Sequence, residues 1–180
     1  MAKRLTLILG GARSGKSSFA EALAQKRGGD DVVFVATAQA GDDEMRERIA
    51  HHRAVRRAGW QTIESPREIA RALQSTARAN VVVLDCVTLW TTNVLLAHEN
   101  SPTEAMLREV DELLAWYRVS SDELILVSNE VGMGLVPDNA LGRAYRDLLG
   151  TVNRKLAEAA DEVFLLVAGL PIEIKSRAMR

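Results

Sequence analysis

The chain has 180 residues, of which 47% are hydrophobic and 26% charged, and its 23 Lys plus Arg against 24 Asp plus Glu leave a formal net charge of -1. That length fits one domain, residues 1–180, with a sizeable core, and the ordinary charge content argues against bulk disorder. The near-zero net charge gives no general grip on nucleic acid, and three Trp, two Tyr and three Phe are few for a base-stacking platform. A single cysteine, Cys86, excludes an intramolecular disulfide framework and a Cys-rich zinc site.

Lys3 and Arg4 precede an apolar stretch that stops at Gly10-Gly11, too short for the core of a signal peptide. No segment approaches the roughly 20 apolar residues that span a bilayer. The expectation is a cytoplasmic protein with no transmembrane segment.

Apolar runs at 5–9, 32–36, 81–86, 124–128 and 163–167 show little polar alternation, the pattern of parallel strands covered on both faces. Residues 62–64 read as an edge strand and 171–175 as a last strand. Between them, 17–26 reads as a helix stopped by Gly28-Gly29, and Asp42 or Asp43 caps a helix running to about Arg57. Ser65-Pro66-Arg67-Glu68 and Ser101-Pro102-Thr103-Glu104 each carry a capping Ser, a first-turn Pro and a Glu three residues on. The helix after Ser101 places Met106, Val110, Leu113, Leu114 and Tyr117 on one face. Pro137-Asp138 opens a long helix with Leu141, Tyr145, Leu148, Val152 and Leu156 inward. This alternation predicts an α/β, doubly wound, mainly parallel sheet with helices on both faces.

Gly10-Gly11-Ala12-Arg13-Ser14-Gly15-Lys16-Ser17 matches the phosphate-loop pattern G-x-x-x-x-G-K-[ST], and it follows a strand and opens a helix as that pattern requires. The glycines permit the turns that aim several N–H groups at phosphate oxygens, and the helix N-terminus adds its dipole. Lys16 would reach the β and γ phosphates, and the Ser17 hydroxyl would coordinate Mg²⁺. Asp85, ending an apolar run, is the expected second metal carboxylate; the bland reading is a turn-capping aspartate. Glu130 competes, as a group orienting a substrate hydroxyl or acting as general base, or else as a solvated loop residue.

His51 and His52 adjoin each other in a segment that also carries Arg46, Arg48, Arg53, Arg56 and Arg57. At 100° per residue, His52 lies about 20° from Met45, whereas His51 lies about 120° from it and off the apolar stripe. Adjacent helical residues point about 100° apart, which disfavours a metal pair. What stays open is a basic face with incidental histidines, or a histidine nucleophile or acid/base beside a nucleotide.

The phosphate loop, Ala36-Thr37-Ala38-Gln39, Asp42-Asp43-Glu44-Met45 with Arg48-Ile49-Ala50-His51-His52, Asp85-Cys86-Val87-Thr88 with Thr92-Asn93, Asn129-Glu130-Val131-Gly132-Met133-Gly134-Leu135-Val136-Pro137, and Ala159-Ala160-Asp161-Glu162-Val163 occur in this order. On these motifs the chain resembles, nearly end to end, the bifunctional adenosylcobinamide kinase / adenosylcobinamide-phosphate guanylyltransferase family of cobalamin biosynthesis. The resemblance implies a RecA-like P-loop NTPase fold and a homotrimer. It implies phosphorylation of the aminopropanol hydroxyl of adenosylcobinamide, a corrinoid, by GTP or ATP. GMP is then transferred from GTP to that phosphate, giving adenosyl-GDP-cobinamide and pyrophosphate through a guanylylated histidine. By position His51 matches that nucleophile, and Lys16 is the second catalytic residue, stabilising the charge that develops as pyrophosphate leaves. The implied guanine-nucleotide contacts are Gly10, Gly11, Ala12, Arg13, Ser14, Gly15, Lys16, Ser17, Ala36, Thr37, Ala38, His52, Arg53, Ala54, Val55, Glu64 and Asp85. The chain departs from the family at Arg53-Ala54-Val55-Arg56, where Lys-Asp-Gly-Arg-like residues are frequent, and at Asp85, a Glu in some relatives. The competing readings are a P-loop kinase of another small molecule without a covalent histidine step, and a non-catalytic nucleotide-binding module.

Overall fold

The computed structural model describes residues 3–39, 41, 43, 46, 47, 50, 57, 59–98 and 100–178. Seven strands, β1 (Leu5–Gly10), β2 (Val32–Ala36), β3 (Gln61–Glu64), β4 (Val81–Asp85), β5 (Glu123–Val127), β6 (Glu162–Val167) and β7 (Leu170–Glu173), form one sheet. Their order is β3-β2-β4-β5-β1-β6-β7, and every pair is parallel except the β6–β7 hairpin. The run at 62–64 is indeed an edge strand, and in place of the run expected at 171–175 a shorter strand, 170–173, returns antiparallel.

Five described helices connect them: α1 (Lys16–Gly28), α2 (Ile69–Gln74), α3 (Val87–Ala97), α4 (Pro102–Val119) and α5 (Ala140–Ala159). Strand pleating sends Leu5, Leu7 and Leu9 to one face, where they pack with Trp90, Met106, Leu113 and Leu149 from α3, α4 and α5. Ile8, Phe34, Val83 and Ile125 point to the other face and meet Ala20 and Ala24 of α1, with Trp60 alongside. All six residues of β1 are buried, which is why its sequence lacks polar alternation.

Three sequence expectations are corrected. The helix expected at Ser65 starts only at Ile69, after a left-handed Glu68, and the Ser65 hydroxyl donates to the Arg67 carbonyl instead of capping. Ser101 stands at the cap of α4 without a side-chain capping bond. The helix expected at Pro137-Asp138 starts at Ala140, capped by the Asn139 side chain, which accepts from the Gly142 amide at 2.7 Å. Leu141 therefore lies in the protruding first turn and is exposed, whereas Leu148, Val152 and Leu156 are buried as expected and Tyr145 is half-buried.

At the N-terminal ends of the strands, Arg27 from α1 donates to Thr6 Oγ1 (2.9 Å), Glu123 (3.1 Å) and Glu162 (2.6 Å), and Arg4 adds a second bond to Glu162 (2.6 Å). This network ties α1 to the starts of β1, β5 and β6 and frees the opposite end of the sheet for a site. Among the described residues, no helix is long and apolar enough to cross a membrane.

Candidate nucleotide site

The phosphate loop leaves the C-terminal end of β1, the edge of an open parallel sheet where ligands generally bind. Gly10 has φ +154°, and a Cβ there would lie 2.6 Å from the Leu166 carbonyl oxygen and 2.7 Å from Ser14 Oγ. Gly15, the cap residue of α1, has φ +91°. Only glycine accommodates both conditions, so these two positions explain the spacing of the motif.

Neighbouring strands brace the loop from both sides. On the β5 side, the Glu130 amide donates to the Gly10 carbonyl at 3.1 Å. On the β6 side, the Gly169 amide of the hairpin donates to the Ser14 carbonyl at 3.1 Å. Inside the loop, the Ser14 amide donates to the Gly11 carbonyl at 3.3 Å. Lys16 is buried, and its ammonium donates to the Gly11 carbonyl (2.6 Å) and toward Ser14 Oγ (3.4 Å). Burial lowers its pKa from the ordinary 10.5, with Cys86 and Asp85 opposing that shift, so Asp85 shares the electrostatic neighbourhood of Lys16. Gly11, Ala12 and Arg13 are exposed at the tip, Ser14 is buried, and Ser17 is half-buried in the first turn of α1.

The other strand ends line up with this loop. Sheet register pairs Ala36 with both Glu64 and Asp85, Asp85 with Val127, and Val127 with Ile8, two residues before Gly10. At about 4.8 Å per strand, Asp85 sits about 10 Å and Glu64 about 19 Å from the β1 axis along that row. Ala36, Thr37, Ala38, Glu64, Asp85 and residues 10–17 thus share one edge of the sheet.

Thr37 is fully buried and fixes the middle of this edge. Its hydroxyl donates to the Cys86 carbonyl (2.8 Å) and accepts from the Cys86 amide (2.9 Å), and its carbonyl accepts from Asn93 Nδ2 (2.8 Å). Asn93 also donates to the Pro66 carbonyl (3.0 Å), so α3 joins the exits of β2 and β3. Burial, and then the Asp85 charge, push the Cys86 thiol up to about 11, which keeps it protonated and unreactive at neutral pH.

A second network fixes the segment after β5. Asn153, buried on α5, accepts from Ser128 Oγ (2.7 Å) and donates to the Asn129 carbonyl (2.9 Å) and to Glu130 Oε1 (3.2 Å). The Asn129 amide donates to Thr88 Oγ1 at 3.0 Å. Sequence reasoning assigned Asn153, Asn93 and Thr88 no role of their own. The available signal was an asparagine within the apolar stripe of α5, where Val152 and Leu156 are its neighbours.

His51, His52, Arg53, Ala54, Val55 and Arg56 lie outside the described residues, as do Arg48 and Met45. Asp43, Arg46, Glu47 and Ala50 are helical, as the reading of that segment expected. Among the described residues no three His, Cys, Asp or Glu side chains form a metal-holding cluster. The Ser17 hydroxyl and the Asp85 carboxylate are hard oxygen donors, a set that suits a cation completing its shell with phosphates and water.

A family model described as cobinamide kinase / cobinamide phosphate guanyltransferase matches residues 6–174. The chain is 46% identical over 178 residues to the bifunctional adenosylcobalamin biosynthesis protein CobP of Pseudomonas aeruginosa, covering 96% of this chain and 98% of that one. It is 44% identical to the corresponding CobU protein of Salmonella typhimurium (95% and 99% covered) and 41% identical to that of Escherichia coli (95% and 99%). A solved ATPase domain superposes with a TM-score of 0.51 at 14% identity, over 92% of this chain and 70% of that one, a likeness of fold alone. A match across the whole sheet and its phosphate loop, with full-length relatives above 40% identity, settles the affiliation: the chain belongs to the cobinamide kinase / cobinamide phosphate guanyltransferase family.

Proposed function

We propose that residues 1–180 act as one unit that phosphorylates adenosylcobinamide with GTP or ATP and then transfers GMP from GTP to the resulting phosphate, releasing pyrophosphate. The observation that carries this reading is the 46% identity to a bifunctional relative over 96% of the chain, with the phosphate-loop geometry intact. In the kinase step the loop amides and Lys16 hold the phosphate chain and stabilise charge as the terminal phosphoryl group transfers. In the transfer step neutral His51 attacks the α-phosphorus, the bond to pyrophosphate breaks, and a phosphoramidate forms. Attack by cobinamide phosphate then returns the electron pair to the imidazole. Two inversions at phosphorus give net retention.

His52, Arg53, Ala54 and Val55 would flank the nucleotide, and Ala36, Thr37, Ala38 and Glu64 would line its far end. Ser17 and Asp85 would hold Mg²⁺, which when bound neutralises phosphate charge. A homotrimer, implied by the family resemblance, and a cytoplasmic location, expected from the sequence, belong to the same proposal.

Incubation with α-labelled GTP and Mg²⁺ tests the covalent step. The expected product is an acid-labile, alkali-stable protein label that is absent from His51→Ala. Normal labelling of that variant would overturn the assignment of His51, and γ-phosphate transfer to cobinamide without any label would leave a kinase only.

A further inference from the structure

We propose that Glu130 is the proton acceptor for the cobinamide hydroxyl in the kinase step and that Asn153 is its positioning residue; the inference rests on the kinase activity proposed above. β5 is the direct neighbour of β1, whereas β4, which carries Asp85, lies one strand further away. The first carboxylate after β5 is Glu130, and its own amide is bonded to the Gly10 carbonyl, the first residue of the phosphate loop. Of the two candidate carboxylates, Glu130 is therefore the one whose backbone touches the loop.

Its side chain is held by Asn153, whose Nδ2 donates to Glu130 Oε1 at 3.2 Å. Asn153 is 5% exposed, and its amide group spends all its described bonds on three consecutive residues: Ser128, Asn129 and Glu130. A buried amide among Leu149, Val152 and Leu156 is retained against its desolvation only when such bonds are made. The bond from Asn153 occupies one Glu130 oxygen, and no described residue occupies the other. A carboxylate beside a triphosphate gains nothing by touching the phosphates themselves, because like charges repel. Its useful partner there is a proton donor, and the reacting hydroxyl is one. As the hydroxyl oxygen bonds to the γ-phosphorus, the bond from phosphorus to the β-γ bridging oxygen breaks and the nucleoside diphosphate leaves. The hydroxyl proton passes to Glu130 and then to solvent. Guanylylation makes no such demand at the attack step, since a neutral imidazole nitrogen bears a free electron pair.

The test separates the two half-reactions. Glu130→Gln keeps the shape and the acceptor oxygen facing Asn153. It should slow γ-phosphoryl transfer to cobinamide about 100-fold or more in kcat, with the nucleotide KM changed less than about threefold. The slowing should exceed any slowing of labelling by α-labelled GTP at least about tenfold. Asn153→Ala should lower the same kcat about tenfold in the parent protein and have no further effect in the Glu130→Gln background, a coupling that a merely structural role would not produce. Asn153→Ser serves where the alanine variant fails to fold. Glu130→Gln turning over cobinamide within about threefold of the parent, or losing both half-reactions equally, overturns the proposal. Absence of kinase turnover in the parent protein would instead refute the kinase reading itself.

Discussion

Removing the buried acceptor at Glu109 should loosen the helix that carries two of the site's supports. Glu109 sits on the inward face of α4, 7% exposed, and its Oε2 accepts from Trp90 Nε1 (2.6 Å) and from the Glu68 amide (2.8 Å). Trp90 is fully buried on α3, so its N–H has no access to water once the carboxylate is gone; Glu68 is exposed, and its amide recovers part of its hydration. An orphaned buried donor costs about 1–3 kcal/mol, so Glu109→Leu, which preserves volume, should lose about 3 kcal/mol, mostly from Trp90. For a chain of this size that is about 6–12 °C in Tm. Glu109→Gln keeps an acceptor oxygen and should lose about 1 kcal/mol. Urea unfolding followed by tryptophan fluorescence measures both. A Glu109→Leu protein within about 1 kcal/mol of the parent would show that water or a rearranged partner satisfies Trp90 and that its burial leaves no orphaned donor. Because α3 also holds Thr88 and Asn93, the same variant should bind nucleotide more weakly than its stability alone explains.

Gly10→Ala forces a Cβ against the Leu166 carbonyl and Ser14 Oγ at a φ that side chains rarely adopt, so the loop must move. A fluorescent GTP analogue should bind at least about tenfold more weakly, which is about 1.4 kcal/mol of the 1–3 expected from such strain. Retained affinity would mean that the β6–β7 hairpin yields instead. At the other end of the sheet, burial would raise the Glu162 carboxyl, but hydrogen bonds from Arg27 and Thr6 and the charge of Arg27 together outweigh it and hold the pKa below the ordinary 4.5. The resulting stability is fully present above pH 4.5 and is lost as pH falls through the lower folded value. Glu162→Gln should therefore lower the urea midpoint at pH 7 and converge with the parent in strong acid. A constant difference across that range would refute the linkage.

The phosphate loop was legible because chemistry restricts each position: two glycines with positive φ, a lysine and a hydroxyl at a helix start. The central strands were legible because burial on both faces leaves mostly Val, Leu and Ile. Helix α3 was not, since its two Val and three Thr favour strands by propensity, although Val87, Trp90, Thr91, Val94 and Leu95 follow the helical period. Local capping patterns misled where tertiary partners intervened: the Glu109 carboxylate takes the Glu68 amide, and α2 begins later than Ser65 suggested. The polar supports, Asn93 and Asn153, join segments distant in the chain, and no local pattern announces such bonds. Strand order was equally hidden, so that β5 rather than β4 adjoins the loop is a finding of the fold alone.

That order also sets when the molecule can become competent during synthesis. β1 is made before every other strand of its sheet, yet its two neighbours are drawn from residues 124–127 and 162–166. A ribosome must therefore deliver most of the chain before the strand bearing the phosphate loop finds either partner, and the Gly169 brace emerges later still. Until then β2, β3 and β4 can pair among themselves while β1 remains an apolar segment without a sheet. Nucleotide binding should accordingly appear late and abruptly on nascent chains of increasing length, and chaperone demand should peak before β6 is released.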